Sequence, residues 1–170
     1  MKDVYLKLAR ATLEGYLNSG KTIDVPDDCP KELREKRAGV FVSYHKGDEL
    51  RGCIGTFLPI KNNLAEEIIS NAIAASRDPR FLPITRDELD DLSAKVDILS
   101  TPQKTSIKNL DPKKYGVIVK AKDGRTGLLL PDLEGVETVE QQIEICRQKA
   151  GIMPDEEVWL YRFTVERYEE

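Results

Sequence analysis

The sequence has one histidine, one tryptophan and three cysteines in 170 residues. A single histidine, His45, excludes a zinc or non-haem iron site built from two imidazoles of one chain. Cys29, Cys53 and Cys146 are odd in number and far apart, and neither Cys-x-x-Cys nor His-x-x-x-His occurs. A disulfide framework and a structural zinc site are therefore not expected, and a reducing compartment suits these thiols. Phosphate loops of the Walker type and Gly-x-Gly-x-x-Gly are also absent, so nothing supports nucleotide hydrolysis or nicotinamide chemistry. Apolar runs stay short, as in 127–130, far below the roughly 20 residues of a membrane helix. Met1 is followed by Lys2 and Asp3 rather than by a signal-peptide pattern. The expectation is a cytoplasmic protein with no membrane partner.

What is present is a well-charged chain with enough apolar content for a core. Lys and Arg number 26 against 30 Asp and Glu, and 40% of residues are hydrophobic. The length fits one domain, residues 1–170, with about 101–135 contributing to a second lobe if there are two.

Apolar periodicity predicts a helix over 3–18, ended by Asn18-Ser19-Gly20. Residues 24–38, with Pro26 and Pro30, read as a charged connector. Residues 39–45 and 50–57 read as a strand pair around the turn at 46–49. Asn62 or Asn63 caps a helix running to about Ser76, with Leu64, Ile68, Ala72 and Ala75 on one face. Thr85-Arg86-Asp87-Glu88 and Thr138-Val139-Glu140-Gln141 are capping boxes for two further helices, the second ending near Gly151. Residues 94–98 alternate as a half-buried strand, and 101–114 read as a long polar loop. Residues 115–122 and 125–130 form a hairpin at Asp123-Gly124. One last strand spans 158–168. Hairpins dominate, so the fold class is α+β, a largely antiparallel sheet with flanking helices.

The most informative segment is Leu50-Arg51-Gly52-Cys53-Ile54-Gly55-Thr56. Glycines within a strand mark a bulge, a bend, or close approach by a backbone or ligand. Alternation places Arg51, Cys53 and Gly55 on one side, so Arg51 is a candidate cation favouring a Cys53 thiolate. The competing reading is a packing cysteine between small residues that let a helix come close. With 46–49 as the loop, Cys53 pairs with Val42, and His45 lies on the opposite face; a one-residue slip would reverse this.

This segment resembles the hallmark motif of the AMMECR family. Asp78-Pro79-Arg80-Phe81 before Glu88-Leu89, Gly127-Leu128-Leu129-Leu130-Pro131 and Lys149-Ala150-Gly151-Ile152 resemble its further signatures, so the likeness spans nearly the whole chain. It implies an α+β fold with a larger and a smaller lobe. Prokaryotic members are similar to protein A of the AmmeMemoRadiSam system, which implies a Memo-type protein and a radical S-adenosylmethionine protein as partners. No cofactor is implied for this chain, since S-adenosylmethionine would belong to the partner. The resemblance gives context and candidate residues but no reaction.

Cys53 is then the candidate nucleophile, with Arg51 and Arg80 beside it. Gly52, Ile54, Gly55, Thr56 and Asp78 are the candidate ligand-binding residues. Arg80 has two readings: a helix-stop residue bonded to Asp78, or a second guanidinium in a cleft with Arg51 that holds a small anionic ligand. Three functions from different classes remain. The first is a component of a modification system with a Cys/Arg cleft, and the second a non-catalytic ligand- or protein-binding adaptor. The third is nucleic-acid binding through the basic segment 104–125, where seven basic residues face two acidic ones. Only Tyr115 interleaves there and the whole chain is acidic, which weighs against nucleic acid.

Overall fold

The computed structural model describes residues 3–170. In chain order the elements are α1 (Asp3–Ser19), α2 (Lys31–Glu35), β1 (Gly39–Lys46), β2 (Glu49–Thr56), α3 (Leu64–Ser76), a 3-10 helix (Arg86–Asp91), β3 (Leu92–Leu99) and β4 (Gln103–Thr105). After a short 3-10 turn (Ile107–Asn109) come β5 (Gly116–Ala121), β6 (Thr126–Leu129), α4 (Val139–Ala150), β7 (Val158–Phe163) and β8 (Val165–Glu169). The fold is α+β and antiparallel, as the hairpin pattern predicts, and its strands divide into two sheets. The chain forms two compact units: residues 3–99 with 166–170, and residues 100–165. Among the described residues no helix is long and apolar enough to cross a membrane.

The larger unit is a four-stranded sheet in the order β2-β1-β3-β8, with α1 and α3 packed on it. The predicted apolar stripe of α3 is buried, and it meets Val40, Val42 and Tyr44 of β1. Each fully buried aliphatic side chain stabilises such a core by about 1.5–3 kcal/mol. Asn63 caps α3 by accepting from the Glu66 N–H at 2.9 Å. The predicted connector contains α2, which has no side-chain cap but buries Leu33.

The smaller unit is a sheet in the order β4-β7-β5-β6, with α4 packed on β5 and β6. The capping box at Thr138 forms, and Gly151 ends α4 with a φ of 66°. Two expectations need correction here. The loop 101–114 contains β4 and the 3-10 turn. The last strand is two strands, β7 and β8, which belong to different sheets.

Candidate functional site

The site is set by a β-bulge. In the β1–β2 pair Tyr44 lies opposite Gly52, but His45 lies opposite Leu50, which leaves Arg51 as the extra residue. A bulge bends its strand and re-aims a side chain. Arg51 is turned toward the 3-10 helix at 86–91, where its Nε and Nη2 donate to the two Glu88 carboxylate oxygens at 2.7 and 2.9 Å. Its Nη1 also donates to the Leu82 carbonyl at 3.3 Å.

The bulge overturns the expected register. Cys53 lies opposite Ser43, and Ile54 opposite Val42. Ser43 and His45 are two apart on an unbulged strand, so they share a face with Cys53. His45 is therefore on the thiol's side of the sheet, because the extra residue shifts every pair beyond it by one. This is the face away from α3: Gly52, on the other side, points at the Ala75 carbonyl.

Cys53 uses its backbone groups outward. Its N–H donates to Asp78 Oδ2 at 3.0 Å, and its carbonyl accepts from Arg80 Nη2 at 3.3 Å. The Ser43–Cys53 pair is thus a non-hydrogen-bonded one, the kind whose Cα atoms approach to about 4.5 Å. Ser43 Oγ and His45 Nε2 share a hydrogen bond at 3.2 Å. Burial lowers the His45 pKa, and Lys95 lowers it further against the opposing Glu169. The imidazole is neutral at pH 7 and able to accept a proton.

A cation beside Cys53 is Arg80, whose Nη2 donates to the Cys53 carbonyl. The charge of Cys53 contributes to raising the Arg80 pKa, after the larger effect of its hydrogen bonds to Asp78. Asp78, whose side chain is 1% exposed, receives Arg80 Nε and Nη2 in a fork at 3.1 and 2.7 Å. These bonds, with the backbone N–H groups of Cys53 and Arg80, hold the Asp78 carboxyl well below the usual carboxylate range. The strap 78–80 so covers the polar edge of β2, which would otherwise invite pairing with another strand.

The structure places Asp78 and Arg80 against the backbone of Cys53, while Arg51 is turned to Glu88, and each guanidinium already holds one of the chain's own carboxylates. The space beside Gly52 is taken by α3, and that beside Gly55 by the Phe41 ring. Ile54 packs on the core. Thr56 donates to Glu67 Oε1 at 2.6 Å. Glu67 and Asn71, both buried on α3, were missed. Their signal was two polar side chains one helical turn apart beside the apolar stripe. Among the described residues no group of His, Cys, Asp and Glu is placed to hold a metal ion.

The Arg51–Glu88 pair makes a pH prediction. The Arg51 hydrogen bonds, against some burial, bring the Glu88 pKa to about 2. A carboxyl depressed in the folded state stabilises fully above its unfolded value, about 4.3. That contribution is lost as pH falls through the folded value. In urea denaturation the advantage of the native protein over Glu88→Gln should be constant above about pH 5 and shrink toward pH 2. A pH-independent difference would contradict the pairing.

Comparisons with known proteins agree with this architecture. A family model described as AMMECR1 matches residues 6–170. A protein of Thermotoga maritima is 57% identical over 168 residues, covering 96% of each chain. The Clostridium acetobutylicum protein CA_C1420 is 50% identical over 99% of this chain, which spans 36% of that longer protein. The crystal structure of the uncharacterised protein PH0010 from Pyrococcus horikoshii has a TM-score of 0.90 at 35% identity, covering 98% of this chain and 89% of that one.

Proposed function

This chain belongs to the AMMECR1 family, and we propose that it is the thiol-bearing component of a modification system. Its partners would be the Memo-type and radical S-adenosylmethionine proteins that the family resemblance implies. The observation that carries the reading is the grouping of Cys53, Ser43 and His45 on one sheet face, with the Arg80 charge at the adjoining edge. A cation beside a cysteine favours thiolate, the nucleophilic form, and a neutral imidazole supplies the base.

The step this arrangement supports is covalent carriage of a group. Cys53 gives its proton to His45 by way of the Ser43 hydroxyl, and its sulfur bonds to an electrophilic acyl carbon. The leaving group departs with the proton returned by the imidazolium. An acceptor nucleophile on a partner then displaces the sulfur, and the thiol takes up the acceptor's proton. The Nε and Nη2 groups of Arg80 are taken by Asp78 and the Cys53 carbonyl, so a small anionic substrate would be met by its Nη1 end, on a side chain that is 60% exposed.

The test is alkylation of the native protein by iodoacetamide across pH, read cysteine by cysteine by peptide mass spectrometry. Cys146 is fully buried and its pKa is pushed up to about 12 by burial, so it should stay unmodified. Burial also raises Cys29. Cys53 should react fastest, with an apparent pKa below the free value of about 8.5. Arg80→Gln should move that value upward. Reaction of Cys53 only after unfolding would make it a packing residue and end the catalytic reading.

A second reading has its own observation. Phe57, Leu58 and Ile60 are exposed on the loop after β2, and Glu67 fixes that loop. A rigid apolar loop suits a protein-binding adaptor. This reading predicts a complex with the Memo-type protein that survives Cys53→Ser and is lost in Leu58→Asp/Ile60→Asp.

A further inference from the structure

The basic segment flagged in the sequence is sorted by its neighbours. Lys113 pairs with Asp132 and Glu137, Lys122 with Glu157, and Arg125 with Asp123 and Glu156. Lys114 sits over the Tyr115 ring. Among the described residues Lys104, Lys108 and Lys120 make no ion pair. All three are exposed.

These three lysines surround aromatic residues that the segment itself does not contain. β7 lies between β4 and β5. Trp159 and Tyr161 are two apart on it and so share one face, about 7 Å from each other along the strand. Lys120 is directly opposite Trp159 on one side, and Lys104 is opposite Tyr161 on the other. All four side chains therefore project from one face. Trp159 is 41% exposed, unusual for the largest apolar side chain. It also walls a shallow hollow of about 580 Å³ with Lys104, Ile107 and Lys108. Trp159 lines a second hollow, of about 440 Å³, with Lys122, Arg147, Glu156 and Glu157. The acidic neighbours Glu156 and Glu157 are neutralised by Arg125 and Lys122.

We propose that the Trp159–Tyr161 face of the second sheet, with Lys104, Lys108 and Lys120, binds single-stranded nucleic acid. Bases stack on aromatic faces without regard to sequence, and cations on either side follow the phosphates. The pairing of the exposed Trp159 ring and the half-buried Tyr161 beside it with unpaired lysines favours a nucleic acid over an acidic peptide, which has charge but no base to stack. Duplex is disfavoured, because its bases are already stacked on one another. The inference is independent of the Cys53 chemistry and involves none of its residues.

Trp159 is the only tryptophan in the chain, so its fluorescence reports this face alone. Titration with dT15 or rU15 at 50 mM salt should quench it. The logarithm of affinity should fall with the logarithm of salt with a slope of about −2, the value for three lysines on a single strand. In anisotropy with labelled dT15, Trp159→Ala should weaken binding roughly tenfold or more. Lys104→Glu/Lys120→Glu should weaken it by at least tenfold, with unchanged circular dichroism, while Trp159→Phe should keep most of the affinity. No quenching at 50 mM salt would overturn the proposal, as would binding indifferent to the lysine changes. Equal quenching by a heptaglutamate peptide would assign the face to acidic peptides instead, and tighter binding of duplex would also overturn it.

Discussion

Gly52→Ala is expected to destabilise the larger unit by about 3 kcal/mol or more, at the upper end of overpacking costs. A Cβ built at Gly52 would lie 2.0 Å from the Ala75 carbonyl oxygen and 3.4 Å from Asp78 Cβ. Ala75 is in the last turn of α3, so the obstacle is backbone and no rotamer change relieves it. The helix end and the strand must separate. That movement pulls Asp78 away from the Cys53 N–H it accepts from. Gly55→Ala gives the contrast. There the obstacle is the Phe41 ring, whose Cβ-to-ring distances start at 2.3 Å. A side chain can turn aside, so a smaller loss of about 1–2 kcal/mol is expected. Urea denaturation measures both. A Gly55→Ala loss exceeding that of Gly52→Ala would show that the close helix–strand approach is not what demands glycine.

Glu67→Ala should cost about 3–4 kcal/mol, and Glu67→Gln about half as much. Glu67 is 1% exposed. Its carboxylate accepts from Thr56 Oγ1 at 2.6 Å and from the Ile60 and Lys61 N–H groups at 2.9 and 2.7 Å. A hydrogen bond to a charged group contributes about 1.5–3 kcal/mol, and the partly buried donors left without this acceptor add to the loss. Alanine removes all three acceptor contacts, whereas glutamine retains one oxygen in the same shape. The loop should loosen as well as the fold. Amide exchange at Ile60 and Lys61 should quicken in both variants, and protection equal to the native protein would show that another group holds the loop. Because Phe57, Leu58 and Ile60 are carried on it, the adaptor reading predicts that Glu67→Gln also weakens partner binding.

The parts of the fold legible in the sequence are those whose physics is local. A cap at Asn62 or Asn63, the box at Thr138 and a helix end near Gly151 were readable because each involves residues within one turn, and the structure uses Asn63 and a left-handed Gly151. The box at Thr85 was readable for the same reason, but its Glu88 has a second partner, Arg51, 37 positions away. The stripe of α3 was readable from its 3.6-residue period. Elements anchored elsewhere were not. α2 has no side-chain cap and is held by burial of Leu33. β4 is three residues that become a strand only beside β7. The last strand read as one because its alternation continues through Thr164, although its halves pair in different sheets.

The site divides in the same way. The sequence by itself determined that Cys53 lies between two glycines on a strand, that Asp78 and Arg80 follow a helix stop, and that the chain is an α+β member of its family. It also determined that the segment 104–125 is basic. Only the tertiary structure decided which residues meet. Alternation along a strand is a property of one chain segment, but register is a relation between two, and a single extra residue at Arg51 moves His45 to the side of Cys53. The same long-range pairing gives Arg51 to Glu88, leaves Arg80 to Cys53, and sets Trp159 opposite Lys120. Those contacts join residues 27 to 39 positions apart, and no local preference encodes a partner at that distance.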